Sequence, residues 1–380
     1  MQRVVVTGIG LVSALGDRRA TWAALLAGRS AIRLQQPFGA LPPRPLAMVG
    51  DRPAPLMRLV DQALAEAWQD AGLADGSDPT LDRDRLGVCV GSSRSAQGAI
   101  EQIALGQVPL DATWVDRLPN GPAVRVARQV GAGGPLLAPM TACTTGISAI
   151  ARAADLIREG WCDRVIAGAV ESPITPLTLA GFGQMGALAQ TGAYPFDRAR
   201  EGLVLGEGAA ILVLERADLA RSRGATPYGE VRGAGFSTDA LHLSAPDPTG
   251  YAARVAVQQA LDRSGWDAAT VDYIHAHGTA TALNDRQEAG LIAALFPPTV
   301  AVSSTKGATG HTLGASGALG VAFCLLALRS QQLPPCVGLR DPEFAGAWVR
   351  SGMTARVDRA LCLGFGFGGQ NAAIGLERSV

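Results

Sequence analysis

Residues 136–168 read LLAPMTACTTGISAIARAADLIREGWCDRVIAG, and three patterns follow one another in them. Leu136–Ala142 has the character of a buried strand running into Cys143. Gly146–Gly160 puts Ile147, Ile150, Ala154 and Ile157 on one helical face. Arg164–Gly168 is again short and β-branched. Strand, helix, strand in succession is the unit of an α/β fold whose strands are buried on both faces.

The same alternation extends outward in both directions. Arg3–Gly10, Leu86–Gly91 and Ala209–Leu214 read as buried strands, with helical patterns at Thr21–Gly28 and Leu56–Gly72. The polar segment Arg216–Thr226 interrupts the pattern, which then restarts. Strands are expected at Tyr228–Gly235, Val271–His275 and Val300–Ser303, and helices at Ala252–Ser264, Arg286–Ala294 and Gly314–Arg329. Arg359–Gly364 is expected as the final strand, and the proline-rich Pro37–Pro55 as a surface excursion. Two halves of similar logic, residues 1–224 and 225–380, suggest a duplication without a residue-level repeat.

Composition narrows the function. Apolar residues make up 48% of the 380, enough to fill a large core, and the 47 glycines fall mostly in short clusters. Lys+Arg and Asp+Glu both number 33, which argues against a general polyanion binder, so no nucleic-acid partner is expected. The apolar run Ala318–Leu328 is shorter than the ~20 residues a membrane span needs, so no membrane insertion is expected. Six cysteines without a CxxC pair or zinc-finger spacing fit a reduced, cytoplasmic protein with no resident metal.

Four motifs carry candidate chemistry. Cys143, between a strand and an alanine-rich helix, sits where backbone N–H groups and the helix dipole favour a thiolate with a pKa below the usual ~8.5. It also reads as a small buried hydrophobe, and this motif alone leaves both readings open. His275-Ala-His277-Gly-Thr279-Ala-Thr281 follows a strand, where histidines two apart point to opposite faces and do not share a metal. His277 is favoured as the functional one because a glycine opens the loop after it. Lys306, the only lysine in the chain, and His311 stand in a glycine-rich turn before a long apolar helix, without the spacing of a phosphate loop. Near the C-terminus, Gly364-Phe365-Gly366-Phe367-Gly368-Gly369 reads either as a close backbone approach to a ligand or as a tight hairpin. Together these supply a covalent acyl acceptor, two imidazoles and amides for an oxyanion hole.

In this order the motifs resemble the β-ketoacyl-acyl-carrier-protein synthases of the thiolase superfamily, nearest the elongating Cys-His-His type, from Val4 to Asn371. Pro195-Phe-Asp197 with Gly206-Glu-Gly208 is a further block of the resemblance. The resemblance implies a thiolase-like, duplicated five-layer αβαβα fold, with Cys143 in the first half and both histidines in the second. It implies decarboxylative condensation of an acyl group on Cys143 with malonyl-acyl-carrier protein, extending a fatty-acid or polyketide chain by two carbons. His277 and His311 would promote decarboxylation and Lys306 would tune their loop, supported by Asp285 or Glu288. The amides of Cys143 and Phe365 would form the oxyanion hole. Thr279 and Thr281 would bind pantetheine, Phe182 and Phe367 would line the substrate site, and Phe365 would gate it. Implied partners are acyl carrier protein and a second subunit, in a homodimer or a heterodimer with a chain-length-factor-like protein; no cofactor is implied.

Four positions depart from the pattern: His275, Gly320, Gln370 and Arg94. Arg94 stands where a small or apolar residue usually shapes the acyl pocket. It either turns away to pair with a carboxylate or polarises the pocket. A thiolase would need a second cysteine in the Phe365–Gly369 loop, which has none, and a non-catalytic chain-length partner would lack Cys143.

Overall fold

In the computed structural model, which describes residues 2–74, 76 and 78–379, one long sheet carries the molecule. Apart from the two-residue Gly16–Asp17, which pairs back onto the first strand, its strands in chain order are β1 (Val4–Ser13), β2 (Leu86–Gly91), β3 (Leu136–Leu137), β4 (Arg164–Glu171), β5 (Gly208–Arg216), β6 (Gly229–Thr238), β7 (Tyr273–His275), β8 (Ala301–Ser303), β9 (Ala347–Trp348), β10 (Arg359–Gly366) and β11 (Gln370–Glu377). They lie in the order β9-β8-β7-β10-β11-β6-β1-β5-β4-β2-β3. The first half supplies one wing and the second half the other. The wings join where Val4–Val6 of β1 pair antiparallel with β6.

Helices cover both faces of each wing. They are α1 (Leu56–Asp70), α2 (Gly121–Val130), α3 (Thr145–Arg158), α4 (Tyr251–Ser264), α5 (Ala282–Leu295) and α6 (Ser316–Ser330). The period-2 alternation of a strand explains the layers. On β5, Ile211 and Val213 pack outward with α1 and α2, while Ala210, Leu212 and Leu214 pack inward with α3 and α6. On β10, Leu361 and Leu363 face α4 and α5, while Ala360 and Cys362 join the central core. Three apolar clusters separated by two sheet wings are the five-layer αβαβα arrangement. Because both faces of most strands are covered, they read as unbroken apolar runs.

The central helices meet closely. A Cβ on Gly146 of α3 would lie 2.2 Å from the backbone nitrogen of Ala318 on α6. The only 18-residue stretch apolar and long enough to span a membrane among the described residues, Leu313–Ser330, includes α6 and is 89% buried inside the protein.

Three expectations are corrected. Leu136–Ala142 is a strand for two residues only, because Pro139 removes a ladder donor and the chain then turns into the short 3₁₀ segment Ala142–Thr144. Arg359–Gly364 is not the last strand: β11 follows it in a hairpin, with Phe365 opposite Asn371. Its Asn-Ala-Ala-Ile-Gly core holds a single β-branched residue, Ile374, among small ones, too little for a strand signal. Pro37–Pro55 is not merely a surface excursion: Leu46, Ala47 and Met48 are buried, and Leu46 pairs with Leu205 beside the site.

Candidate active site

Cys143 lies in the turn that launches α3. The preceding Ala142 has φ +48°, a left-handed conformation costly for a residue with a side chain and typical of backbone strained to aim a reactive group. Ala280 (φ +67°) and Leu313 (φ +42°) repeat this strain on the two histidine loops. All three line or border a cavity of about 350 Å³, with Cys143, His277 and His311 at its buried end and exposed Leu283 at its mouth.

The sulfur and one ring nitrogen from each histidine all lie within 4.8 Å of one another. The two imidazoles meet edge to face, with ring centres 5.3 Å apart. His311 is oriented by a 2.8 Å hydrogen bond between Nδ1 and the Ser316 hydroxyl, which leaves Nε2 free. Its backbone is fixed by its amide donating to Val204 at 2.6 Å and its carbonyl accepting from Gly206 at 3.0 Å. His277 is held through its backbone. Its amide and that of Gly278 donate to the two oxygens of Glu288 on α5, at 2.6 and 2.7 Å, and its carbonyl accepts from the Lys306 ammonium. Asp285, one position from Asn284 on the same helix, accepts from the amides of Phe196 (2.7 Å) and Ala280 (3.2 Å). Asp285 and Glu288 therefore brace the loop through backbone bonds, and Lys306 forms no ion pair with either among the described residues.

Burial controls the charge states. Both imidazoles are held well below the ordinary histidine range, first by burial and next by the Lys306 ammonium, so they are neutral near pH 7. Burial likewise pushes the Cys143 thiol up to about 11, against the opposing pull of Lys306 and of the Phe367 amide. The expected low-pKa thiolate is thus corrected: at the start of α3, loss of water outweighs the helix dipole. Burial raises Glu288 to about 7 and lowers Lys306.

The backbone amide that favours the ionised form of the Cys143 sulfur is that of Phe367. Phe365 is inside β10 and paired across the hairpin, whereas Phe367 is the first residue past the strand end, where its amide leaves the ladder. Gly366 lets the end of β10 approach the turn that carries Cys143: a Cβ there would be 3.0 Å from the Cys143 nitrogen. The rings divide in the same way. Phe367 stacks on Phe182 (centres 5.8 Å apart), and Phe365 stands edge-on to His277 at 5.9 Å. Thr279 and Thr281 reach the cavity wall with their hydroxyls 2.9 Å apart.

His275 points the other way, into the central core, where it meets the Thr305 hydroxyl at 3.1 Å and the Phe323 ring. A Cβ on Gly320 would stand 2.9 Å from His275 Nδ1, so these two departures fit each other: the imidazole fills the room the glycine leaves. Gln370 opens β11 opposite Gly366. Sequence reasoning missed Ser316, which orients His311, and Asp239, Asn284 and Asn371, which also line the cavity. Ser316, Asn284 and Asn371 lie within or directly beside the four motifs but carry no signal of their role there, whereas Asp239 is brought in by long-range packing.

A neutral imidazole pair beside a buried thiol, reached through a narrow cavity in a five-layer αβαβα fold, defines the class of thioester-using condensing enzymes. The chain belongs to the β-ketoacyl synthase family: residues 49–220 match the family's N-terminal domain and residues 228–340 its C-terminal domain. It is 37% identical to 3-oxoacyl-[acyl-carrier-protein] synthase 2 of Rhizobium meliloti, covering 100% of this chain and 99% of that one. It is 35% identical to the actinorhodin polyketide putative β-ketoacyl synthase 1 of Streptomyces coelicolor, covering 99% and 88%. Among solved structures it superposes at TM-score 0.91 and 28% identity on a type II polyketide ketosynthase in complex with its acyl-carrier protein, and at 0.91 and 29% on the ishigamide ketosynthase/chain length factor. Both superpositions cover 100% of each chain. The chain is therefore a β-ketoacyl synthase, an acyltransferase that forms carbon–carbon bonds.

Proposed function

We propose that Cys143 takes the acyl group from the phosphopantetheine thioester of an acyl carrier protein and that His277 and His311 then drive condensation with malonyl-acyl carrier protein. In the first half-reaction the Cys143 sulfur attacks the thioester carbon, its proton passes to a neighbouring neutral imidazole, and the pantetheine thiol leaves with a proton. In the second, malonyl thioester loses CO₂. The resulting enolate oxygen is held by the imidazoles, and its carbon attacks the Cys143 thioester, returning the thiol and releasing a chain two carbons longer. The observation that carries this reading is the meeting of sulfur and two imidazole nitrogens within 4.8 Å at the buried end of one cavity.

Neutral imidazoles suit both steps, since one can accept the thiol proton and the pair can donate hydrogen bonds to an enolate. The amides of Cys143 and Phe367 form the oxyanion hole, Thr279 and Thr281 hold pantetheine, and Phe182, Phe365 and Phe367 wall the acyl site. Lys306 positions His277 through its carbonyl, and its ammonium disfavours a dication at the same three ligands, so we read them as catalytic and not as a metal centre. No resident cofactor is required by this chemistry. The halves divide the labour: residues 1–224 carry the acyl group and residues 225–380 the decarboxylating histidines. We place the protein in the cytoplasm, in keeping with six free cysteines.

We further propose a dimer, formed through the open sheet edge at β3, where Leu136 and Met140 are exposed. A second reading, the active subunit of a heterodimer with a chain-length-factor-like partner, is favoured by the similarity to the ishigamide ketosynthase/chain length factor. The test is intact mass after incubation with carrier proteins bearing different acyl groups. The wild type should gain one acyl mass, mapped to Cys143, and Cys143→Ala none. Loading at another cysteine, or on no residue with any chain, would refute the assignment.

A further inference from the structure

Arg94 sits on the loop after β2, and that loop is unusually well fixed. The buried Glu171 carboxylate, at the end of β4, accepts hydrogen bonds from the Ser92 hydroxyl (2.8 Å), the Ser93 amide and hydroxyl (2.8 and 2.5 Å), the Arg94 amide (3.0 Å) and the Gly314 amide (3.0 Å). Ser95 follows with φ +51°. Both oxygens of the Glu171 carboxylate are thereby occupied. Among the described residues the Arg94 guanidinium has neither an ion pair nor a hydrogen bond. It is half-buried and stands over the face of Phe182, with its central carbon 5.7 Å from the ring centre. Phe182 is the ring that lines the cavity beside Cys143 and stacks on Phe367. The positive charge reaches the Cys143 sulfur and favours its ionised form. Of the two sequence-based alternatives, pairing with a carboxylate is therefore not what the structure contains.

We propose that Arg94 is a specificity-determining residue of the acyl site, selecting chains that present π-electrons or carbonyl oxygens beyond the thioester over saturated chains of equal length. The proposal rests on the reading of Cys143 as acyl acceptor. A saturated chain that displaces or passes Phe182 brings methylenes against a half-buried guanidinium that then gives up its remaining water with no counter-charge in return. A conjugated chain offers the cation the same kind of π-face that Phe182 now provides. A carbonyl-bearing chain offers a hydrogen-bond acceptor to its planar donors. The fixed loop backbone keeps the guanidinium from withdrawing as a unit, so the chain must accommodate it.

The experiment measures Cys143 acylation rates by intact mass for wild type, Arg94→Met and Arg94→Lys. The carrier proteins bear a butyryl group or a ten-carbon chain that is saturated, conjugated or carbonyl-bearing. The wild type should load the conjugated or the carbonyl-bearing chain about tenfold faster than the saturated one, a ratio of the size one cation–π contact or charged hydrogen bond supplies. Which of the two leads tells a π partner from an oxygen partner. Arg94→Met should bring the ratio close to one by gaining on the saturated chain, and Arg94→Lys should keep most of the discrimination. Equal wild-type rates for all ten-carbon chains, or an unchanged ratio in Arg94→Met, would overturn the proposal. Butyryl loading separates the two levels of failure. If butyryl loads and the longer chains are not discriminated, Arg94 has no selective role. If nothing loads on the wild type, the acyl-acceptor reading of Cys143 itself falls, and the proposal with it.

Discussion

At Cys143 two local influences oppose each other, and burial is the stronger. A thiol raised to about 11 is neutral at physiological pH, so the proposed attack on a thioester would pass its proton to an imidazole as the bond forms. The folded pKa lies above the ~8.5 of a free thiol, so the thiolate fraction grows with pH well past 8. Limiting iodoacetamide should label Cys143 before the other five cysteines, because it alone among them lines the cavity. Its rate should keep climbing about tenfold per pH unit from 8 to 10. A plateau near pH 8, followed by peptide mapping, would show instead a preformed thiolate. At the same scale, Phe365 and Phe367 could not be told apart from a Gly-Phe alternation. Which of them leaves the ladder depends on where β10 ends, and that is set by pairing with β11.

Between elements, the site depends on carboxylates that never touch the reacting atoms. Glu288 on α5 satisfies the buried amides of His277 and Gly278. Glu288→Ala would leave both donors without partners, at about 1–3 kcal/mol each. It should lower condensation turnover at least about tenfold while butyryl loading of Cys143 stays within about threefold. Parallel loss of both would indicate general unfolding of the loop. Glu207, just before β5, accepts from the Val49 and Ala54 amides and is raised by burial to about 7. Between the unfolded value near 4.5 and the folded value near 7, the native state keeps a proton the unfolded chain has lost. Stability from this group is thus present at low pH and falls as pH rises through that window, by about 3 kcal/mol at most. Urea unfolding at pH 5 and pH 8 should show a smaller pH dependence for Glu207→Gln than for the wild type. An identical slope would count against a titrating Glu207. At the contact of α3 with α6, Gly146→Ala drives a Cβ into backbone and should cost about 3 kcal/mol or more, read as a lower urea midpoint.

Most elements were legible because this fold buries its strands on both faces, leaving runs such as Leu86–Gly91 whose observed bounds equal those expected. The site's four motifs were legible for a related reason: glycine and histidine at strand ends are unusual in core sequence. What was not legible lies where two distant segments settle a question jointly. β11 is built of small residues and is a strand only because β6 and β10 flank it. Asp239 reaches the cavity wall from the segment after β6, and Glu171 fixes the Arg94 loop across a distance of 77 residues.

For the molecule as a whole, the open edge at β3 makes a second subunit part of the account. Sedimentation should show a dimer, and Met140→Glu on the exposed edge segment should weaken it; a wild-type monomer would contradict the proposed assembly. The central claim is the division of one reaction between two halves of the fold, and separating the half-reactions tests it most directly. Acyl loading and malonyl-carrier decarboxylation are measured in Cys143→Ala and His311→Ala, with unfolding curves as controls. The account predicts that Cys143→Ala loses loading and keeps decarboxylation, while His311→Ala keeps loading and loses decarboxylation. Equal loss of both activities in each folded variant would contradict it.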